Sequence, residues 1–348
     1  MKNIKKQPNT KQIIIANIIN IKYIFIIFLA FFKNYFGDIK IILKILKKIS
    51  EKYNIGYWSI IYNCFIKYPL LGFVPTEFFM YELFKNSHKD YLTFLNLIAL
   101  ISVNKYNYVL VGNKYKFKMH IKDKIPTSNL LAVYDYKTKK ITHYNKPKTN
   151  RVVIKPFKGG GGSGVRIENA NNYQKILSSY SRNCIVEDFI EQHSFLNKIF
   201  CDSLNTLRIL TLNENNKIKV ITAVLKFGRY NTNKMDHFQN GGISVDIDLE
   251  SGLLLKGKSI FKYFEDGYYL AHPETGIEFY NKHLPFFKEV MQTAIDAHKL
   301  FPFIKIIGWD IAITEEGPCV VEANRIPDFL MLQIFKPLRR TLSKTLKL

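Results

Sequence analysis

The chain has 348 residues, of which 51 are Lys or Arg, 28 are Asp or Glu and 47% are apolar, for a formal charge of +23. Such a chain can bury a sizeable core, which excludes a disordered polymer or a mini-protein and allows two or three domains without requiring them. The charge is lopsided: residues 1–150 hold 25 basic and 7 acidic groups, while residues 151–348 hold 26 and 21. An anionic partner for the first part is one expectation; lysine-rich composition from an AT-rich genome is the bland alternative.

A basic leader (Lys2, Lys5, Lys6, Lys11) precedes the apolar segment IIIANIINIKYIFIIFLAFF at residues 13–32. No small-residue cleavage site follows, so a signal peptide is not predicted. The length suffices to span a bilayer. Fourteen Ile, Leu and Phe side chains favour insertion by roughly 0.3–0.6 kcal/mol each, against about 3 kcal/mol for the central Lys22. Asn17 and Asn20 erode the remainder, leaving the balance close to even. The next stretch, DIKIILKILKKISEK, is an amphipathic helix with Lys40, Lys44, Lys47 and Lys48 on one face and Ile41, Ile42, Ile45, Leu46 and Ile49 on the other. It suits a helix lying on anionic lipid, or equally a surface helix packed on its own domain. Residues 1–100 read as mostly helical, broken at Pro69 and Pro75.

From Tyr106 the pattern changes to short β-rich runs: YNYVLVG, NLLAVYD, KKITHYN and RVVIKPF. A glycine loop follows, made of Gly159, Gly160, Gly161, Gly162, Ser163 and Gly164. It satisfies GxGxxG, but the next residues, Val165, Arg166 and Ile167, read as a strand, with a helix only after an Asn169 cap near residues 170–180. A dinucleotide fingerprint needs a helix at once, and a Walker loop needs a closing Lys-Ser/Thr; both are excluded. A glycine hairpin with Lys155 on the incoming strand can still cradle phosphate through bare N–H groups and a point charge.

SLNTLRILTLNENNKIKVITAVLKFGR reads as a hairpin turning at residues 213–216, with Arg208, Lys226 and Arg229 available to a phosphate. LPFFKEVMQTAIDAHKLF has helical spacing. In WDIAITEEGPCVVEAN, two strands flank a Glu-Gly-Pro turn. Strict alternation puts Asp310, Ala312 and Thr314 on one face, and on the return strand Val320, Glu322 and Asn324 opposite Cys319, Val321 and Ala323. Asp310, Glu322 and Asn324 then share a surface as three hard oxygen donors, which suits Mg²⁺ or Mn²⁺. Cys64, Cys184, Cys201 and Cys319 lie far apart, so neither a zinc site nor a disulfide framework is predicted and the setting is a reducing cytoplasm.

A lysine before a glycine hairpin, the acidic segment VEDFIEQH and paired strands ending in Asp…Glu-x-Asn together resemble the ATP-grasp superfamily. SLNTLRILT, GGISVDIDLESG, HPETG and IGWDIAITEEGPCVVEAN look more narrowly like its sugar-transfer-associated group, related to α-L-glutamate ligases, over roughly residues 73–333. The resemblance implies an α+β fold in which two subdomains with antiparallel sheets grip ATP. Residues 1–100 would be a basic helical region replacing the usual N-terminal α/β domain. Residues 101–193 would be the first subdomain with its glycine-rich lid, and residues 194–348 the second with the metal site. It further implies that Lys114 and Lys155 bind nucleotide phosphates under the mobile lid. Glu187 to Ile190 would form the adenine hinge, and His193 would lie near the ribose. Asp310, Glu322 and Asn324 would hold Mg²⁺, with Glu322 bridging two ions. Arg208 would steady the transferred phosphate, with Lys226 where relatives carry Arg.

The implied activity is ATP-dependent carboxylate–amine ligation through an acyl phosphate, on a glycan-linked acid or amine in cell-surface polysaccharide assembly, by a cytoplasmic protein peripheral at the inner leaflet. The alternatives are phosphoryl transfer to a sugar, or a non-enzymatic protein binding anionic lipid or nucleic acid. Aromatic–basic interleaving and helix-turn-helix patterns are missing, so nucleic acid is not an expected partner.

Overall fold

The computed structural model describes residues 10–104, 108–232, 235–260 and 268–348, with the side chains of the first helix described from Ile24 on, Ile45 excepted. Lys2, Lys5 and Lys6 lie outside the described residues, as do the side chains of Lys11 and Lys22.

The chain begins with one long helix, α1 (Thr10–Tyr53). The short helices α2 (Tyr57–Tyr62), α3 (Tyr68–Leu70) and α4 (Pro75–Met80) follow, with a π-turn at Asn63–Lys67 between the first two. Then come α5 (Leu97–Val103), α6 (Tyr108–Val111) and α7 (Lys114–Ile121). On the second half of α1, Ile42, Leu46 and Ile49 are buried in a core shared with α2, α5 and the C-terminal helices, while Lys40, Lys44, Lys47 and Lys48 are exposed. That stretch therefore packs on its own protein through its isoleucine face. Among the described residues no helix is long and apolar enough to cross a membrane.

The first sheet contains β1 (Leu130–Asp135), β2 (Lys140–His143), β3 (Arg151–Pro156), β4 (Arg166–Asn169) and, after α8 (Tyr173–Leu177), β5 (Cys184–Asp188). Its order is β2-β1-β5-β3-β4, antiparallel throughout. The second sheet follows α9 (Ser194–Ile199). It contains β6 (Thr206–Glu214), β7 (Lys217–Phe227), β8 (Ile243–Ile247) and β9 (Leu254–Ser259). After α10 (Phe287–Lys299) it is completed by β10 (Ile306–Thr314) and β11 (Gly317–Asn324), in the order β11-β10-β6-β7-β8-β9. The short helices α11 (Phe329–Leu332) and α12 (Arg339–Leu346) return to the core of the helical region.

Local chemistry accounts for most of these elements. Asn215 and Asn216 both adopt positive φ (51° and 65°), the conformation that a tight β6–β7 hairpin requires and that Asn tolerates. Helix α10 buries Val290, Ala294 and Ala297 on one face against the second sheet.

Two expectations need correction. YNYVLVG is not a strand: Tyr106 and Asn107 lie outside the described residues, and Tyr108–Val111 is helical. A run this short has no decisive period, and here Val111 joins the core containing Phe117 and Ile121 of α7. Asn169 ends β4 and accepts the Asn171 N–H in a turn; helix α8 starts after Asn172, whose side chain makes no capping hydrogen bond.

Candidate active site

A cleft of about 1240 Å³ separates the two sheets. Its floor is the second sheet, and the strand register determines which charges meet there. Asp310 on β10 lies opposite Arg208 on β6 and opposite Glu322 on β11, so the three form one row across adjacent strands. Arg208 grips Asp310 bidentately, Nε to Oδ1 at 2.7 Å and Nη2 to Oδ2 at 3.1 Å. Lys226 Nζ lies 3.2 Å from Asp310 Oδ1 and 3.2 Å from Asp236 Oδ2. The Asn324 amide donates to Asp310 Oδ2 at 3.0 Å. Burial alone would raise the Asp310 carboxyl, but the Arg208 and Lys226 charges outweigh it and hold it well below the usual carboxylate range.

The β10–β11 pairing is not the strict alternation predicted. Asp310 faces Glu322 but Ile311 faces Val320, so Val321 is an extra residue in a β-bulge. Val320 and Ala323, three apart, therefore both enter the core, whereas Val320 was expected on the polar face. Val321 lines the cleft beside Glu322 and Asn324. Outside the bulge, Pro126 accepts the Val320 N–H at 2.8 Å and Thr127 donates to the Val320 carbonyl at 2.8 Å, covering the strand edge.

The opposite wall comes from the first sheet. Lys155 on β3 reaches Glu187 on β5, Nζ to Oε2 at 2.7 Å. Glu187 is also paired with Lys118 of α7, which itself donates to Thr127 Oγ1 (2.7 Å) and to the carbonyl and hydroxyl of Ser128. Burial pushes the Glu187 carboxyl up, yet the two lysines outweigh it and hold the group down at about 2. Glu187 thus turns away from the cleft and positions Lys155, while the following segment, including Ile190, lines the cavity. His193 is not among the lining residues: its Nδ1 accepts the Phe195 N–H and caps α9, and its Nε2 lies 3.3 Å from Glu315.

The glycine loop closes over the floor. Gly159, Gly160, Gly161, Gly162 and Ser163 line the cleft, and Gly164 does not. Lys114 ties lid to floor: its Nζ donates to the Gly159 carbonyl at 2.7 Å and lies 3.4 Å from Glu322 Oε2. At Gly162 (φ +73°) a Cβ would overlap the Met235 sulfur, so the lid seats on Met235 only because no side chain intervenes. Gly162→Ala should therefore weaken nucleotide binding about tenfold. Met235→Ala should recover the steric part but not the roughly 1–2 kcal/mol left-handed backbone cost. Gly160→Ala, whose Cβ would meet open space, should change binding far less. Titration with a fluorescent ATP analogue measures all three.

Cleft residues that the motifs did not single out include Asp236 and His237. The cluster Met-Asp-His before the Gly241-Gly242 pair was their only signal. Asp236 accepts the Thr206 N–H at 3.0 Å, which holds its carboxylate against Lys226.

The floor fits a hard divalent cation through its donor chemistry. Among the described residues no three His, Cys, Asp or Glu side chains are grouped to hold an ion by themselves. Two carboxylates and an amide, Asp310, Glu322 and Asn324, are the kind of set Mg²⁺ uses when phosphate oxygens complete its shell.

Comparison with known proteins agrees with this geometry. The family model for the ATP-grasp domain matches residues 111–237, and that for sugar-transfer-associated ATP-grasp matches residues 176–346. Solved structures with similar folds include the L-amino acid ligase of Bacillus licheniformis, at 11% identity over 67% of this chain and 42% of that one, with a TM-score of 0.37. The N5-carboxyaminoimidazole ribonucleotide synthetase of Thermotoga maritima matches at 15% identity over 64% and 44% (TM-score 0.37). The D-alanine–D-alanine ligase of Helicobacter pylori matches at 18% identity over 68% and 61% (TM-score 0.40). The chain spans less than two thirds of the length of each of these structures. No curated protein matches. With the two family models together running from residue 111 to residue 346, across both sheets and the cleft between them, the chain belongs to the ATP-grasp superfamily.

Proposed function

We propose that the protein is an ATP-dependent carboxylate–amine ligase acting on a glycan-linked acid or amine at the inner face of the membrane. The observation that carries this reading is the charge layout of the cleft: Arg208, Asp310 and Glu322 in one register row, facing Lys155 and a glycine lid.

Lys155 and the N–H groups of the lid hold the nucleotide phosphates. A substrate carboxylate oxygen attacks the γ-phosphorus, the bond to the β,γ-bridging oxygen breaks, and ADP leaves. Arg208 and Lys226 stabilise the charge on the transferred group and on the resulting acyl phosphate. The amine nitrogen then attacks the acyl carbon, phosphate departs and the nitrogen loses a proton, forming the amide. Asp310, Glu322 and Asn324 would hold Mg²⁺, which when bound supplies charge neutralisation to the phosphates. Glu187 keeps the Lys155 ammonium aimed at the cleft. The rest is positioning, for which no Cys or Ser nucleophile is needed.

Two measurements test this. Lys155→Ala should weaken ATP binding by about one to two orders of magnitude, since a charge-assisted phosphate contact is worth about 1.5–3 kcal/mol. Unchanged affinity in a folded variant would overturn the nucleotide assignment. An ATP-turnover screen against amino-acid and uronic-acid pools separates the chemistries. A ligase accumulates ADP only when acid and amine are both present, whereas a sugar kinase needs one acceptor.

A further inference from the structure

Helix α1 carries more apolar surface than its protein covers. Its inner stripe is buried at Ile27, Phe31, Ile42, Leu46 and Ile49, and Asp38 accepts the Thr76 N–H at 3.0 Å, so the rotation of the helix is fixed. A second stripe, Phe25, Leu29, Phe32 and Phe36, recurs at spacings of 4, 3 and 4 and faces outward, with Phe25 63% and Phe36 60% exposed. The neighbouring segment from α2 to α3 does the same at steps of 4: Trp58, Tyr62, Ile66 and Leu70, with Trp58 78% and Leu70 83% exposed. Tyr35 Oη donates to the Phe65 carbonyl at 2.8 Å, which sets the two segments side by side. Eight large side chains, each more than half exposed, present on the order of 1,000 Å² of mostly apolar surface. The largest apolar patch on an ordinary monomer is roughly 300–600 Å².

The charges around the stripes identify the occupant. Lys33, Lys40, Lys44, Lys47, Lys48, Lys52 and Lys67 are all exposed. Over residues 24–71 the sequence has two acids, the buried Asp38 and Glu51, which is 4.0 Å from Lys47. A second copy docked face to face would set lysines against lysines. An anionic bilayer accepts apolar side chains and attracts lysines at about 1 kcal/mol each, and Trp and Tyr favour its headgroup layer. We infer that the outer stripe of α1 and the Trp58–Tyr62–Ile66–Leu70 stripe form one monotopic docking surface for anionic phospholipid. The inference deepens the proposed ligase reading, on which its account of why the enzyme sits on a membrane rests.

The full-length protein is mixed with phosphatidylglycerol–phosphatidylcholine vesicles and with pure phosphatidylcholine vesicles. Co-sedimentation is expected with the anionic vesicles and should fall at least tenfold from low to half-molar salt. The chain has two tryptophans, and Trp309 is fully buried, so a blue shift and quenching by brominated lipid report on Trp58. The triple variant Trp58→Ser, Ile66→Ser, Leu70→Ser should bind vesicles at least tenfold more weakly while ATP affinity stays within twofold. Two results overturn the inference: wild-type protein remaining in the supernatant at low salt, or a lipid-free dimer that the triple variant dissolves. Either result with ATP binding intact leaves the ligase reading standing. Vesicle binding without ATP binding removes the ligase reading and leaves the docking surface.

Discussion

Glu322→Gln is expected to reduce ATP turnover by two orders of magnitude or more while leaving the protein as stable as wild type. The two effects separate because of where Glu322 sits. It lies on the bulged strand β11, its side chain is 31% exposed, and its ion-pair partner is Lys114 at 3.4 Å. A partly wet pair of that length contributes little to folding, on the order of 1 kcal/mol at most. As the proposed direct ligand, its loss should cost at least as much activity as the roughly 10–100-fold seen when outer partners of a metal site are removed. Asp310→Asn should differ. Its carboxylate neutralises two nearly buried cations, Arg208 and Lys226, so this variant should lose stability as well as turnover. Turnover assays beside thermal melts check both, with Glu316→Gln in the hairpin turn as the silent control. Normal turnover by a folded Glu322→Gln protein would remove the metal assignment.

The second large effect concerns a buried residue that does not line the cleft. Lys118→Met should destabilise the protein by about 3–5 kcal/mol, because it leaves Glu187, which is 1% exposed, with Lys155 as its remaining cationic partner. The double variant Lys118→Met, Glu187→Met should recover a large part of that loss, since no buried carboxylate remains to be compensated. The pH dependence has a definite direction. The Glu187 carboxyl is held near 2 in the folded protein, against an ordinary value of 4.5. The stability it contributes is therefore complete above 4.5 and is lost as the pH falls toward 2. Urea unfolding at pH 7 and pH 3 should show that loss in wild type and much less of it in the double variant. A single variant as stable as wild type would mean that water, not Lys118, compensates the carboxylate.

The glycine hairpin, the β6–β7 and β10–β11 hairpins and the Asp310–Glu322–Asn324 grouping were legible in the sequence because each rests on local chemistry: alternation, turn residues and uninterrupted glycine; the division into two sheets came from the family resemblance. What escaped was set by distant contacts. Lys118 sits in the lysine-rich run KYKFKMHIKDK, and nothing nearby announces that Glu187, 69 positions later, pairs with it in the interior. The Val321 bulge was invisible because alternation has no mark for an inserted residue, so Val320 was placed on the wrong face. Glu187 and His193 were given their expected roles by resemblance, from their order along the chain. The structure turns one inward to hold two lysines and makes the other a helix cap. The outer stripe from Trp58 to Leu70 passed unnoticed because a π-turn and Pro69 interrupt it, although its spacing of four survives.

The bulge also divides this hairpin into a part that tolerates changes in length and a part that does not. Residues added at Glu315–Glu316 would extend a solvent-facing turn and leave every pairing of Asp310 untouched. Deleting Val321 would remove the extra residue, restore strict alternation and shift the phase of one side of β11 by a single step. Either Glu322 would leave the row with Arg208 and Asp310, or Val320 would leave the core. Among descendants of this gene, insertions and deletions should therefore collect at the turn, and between Val320 and Asn324 the number of residues should not drift even where their identities do.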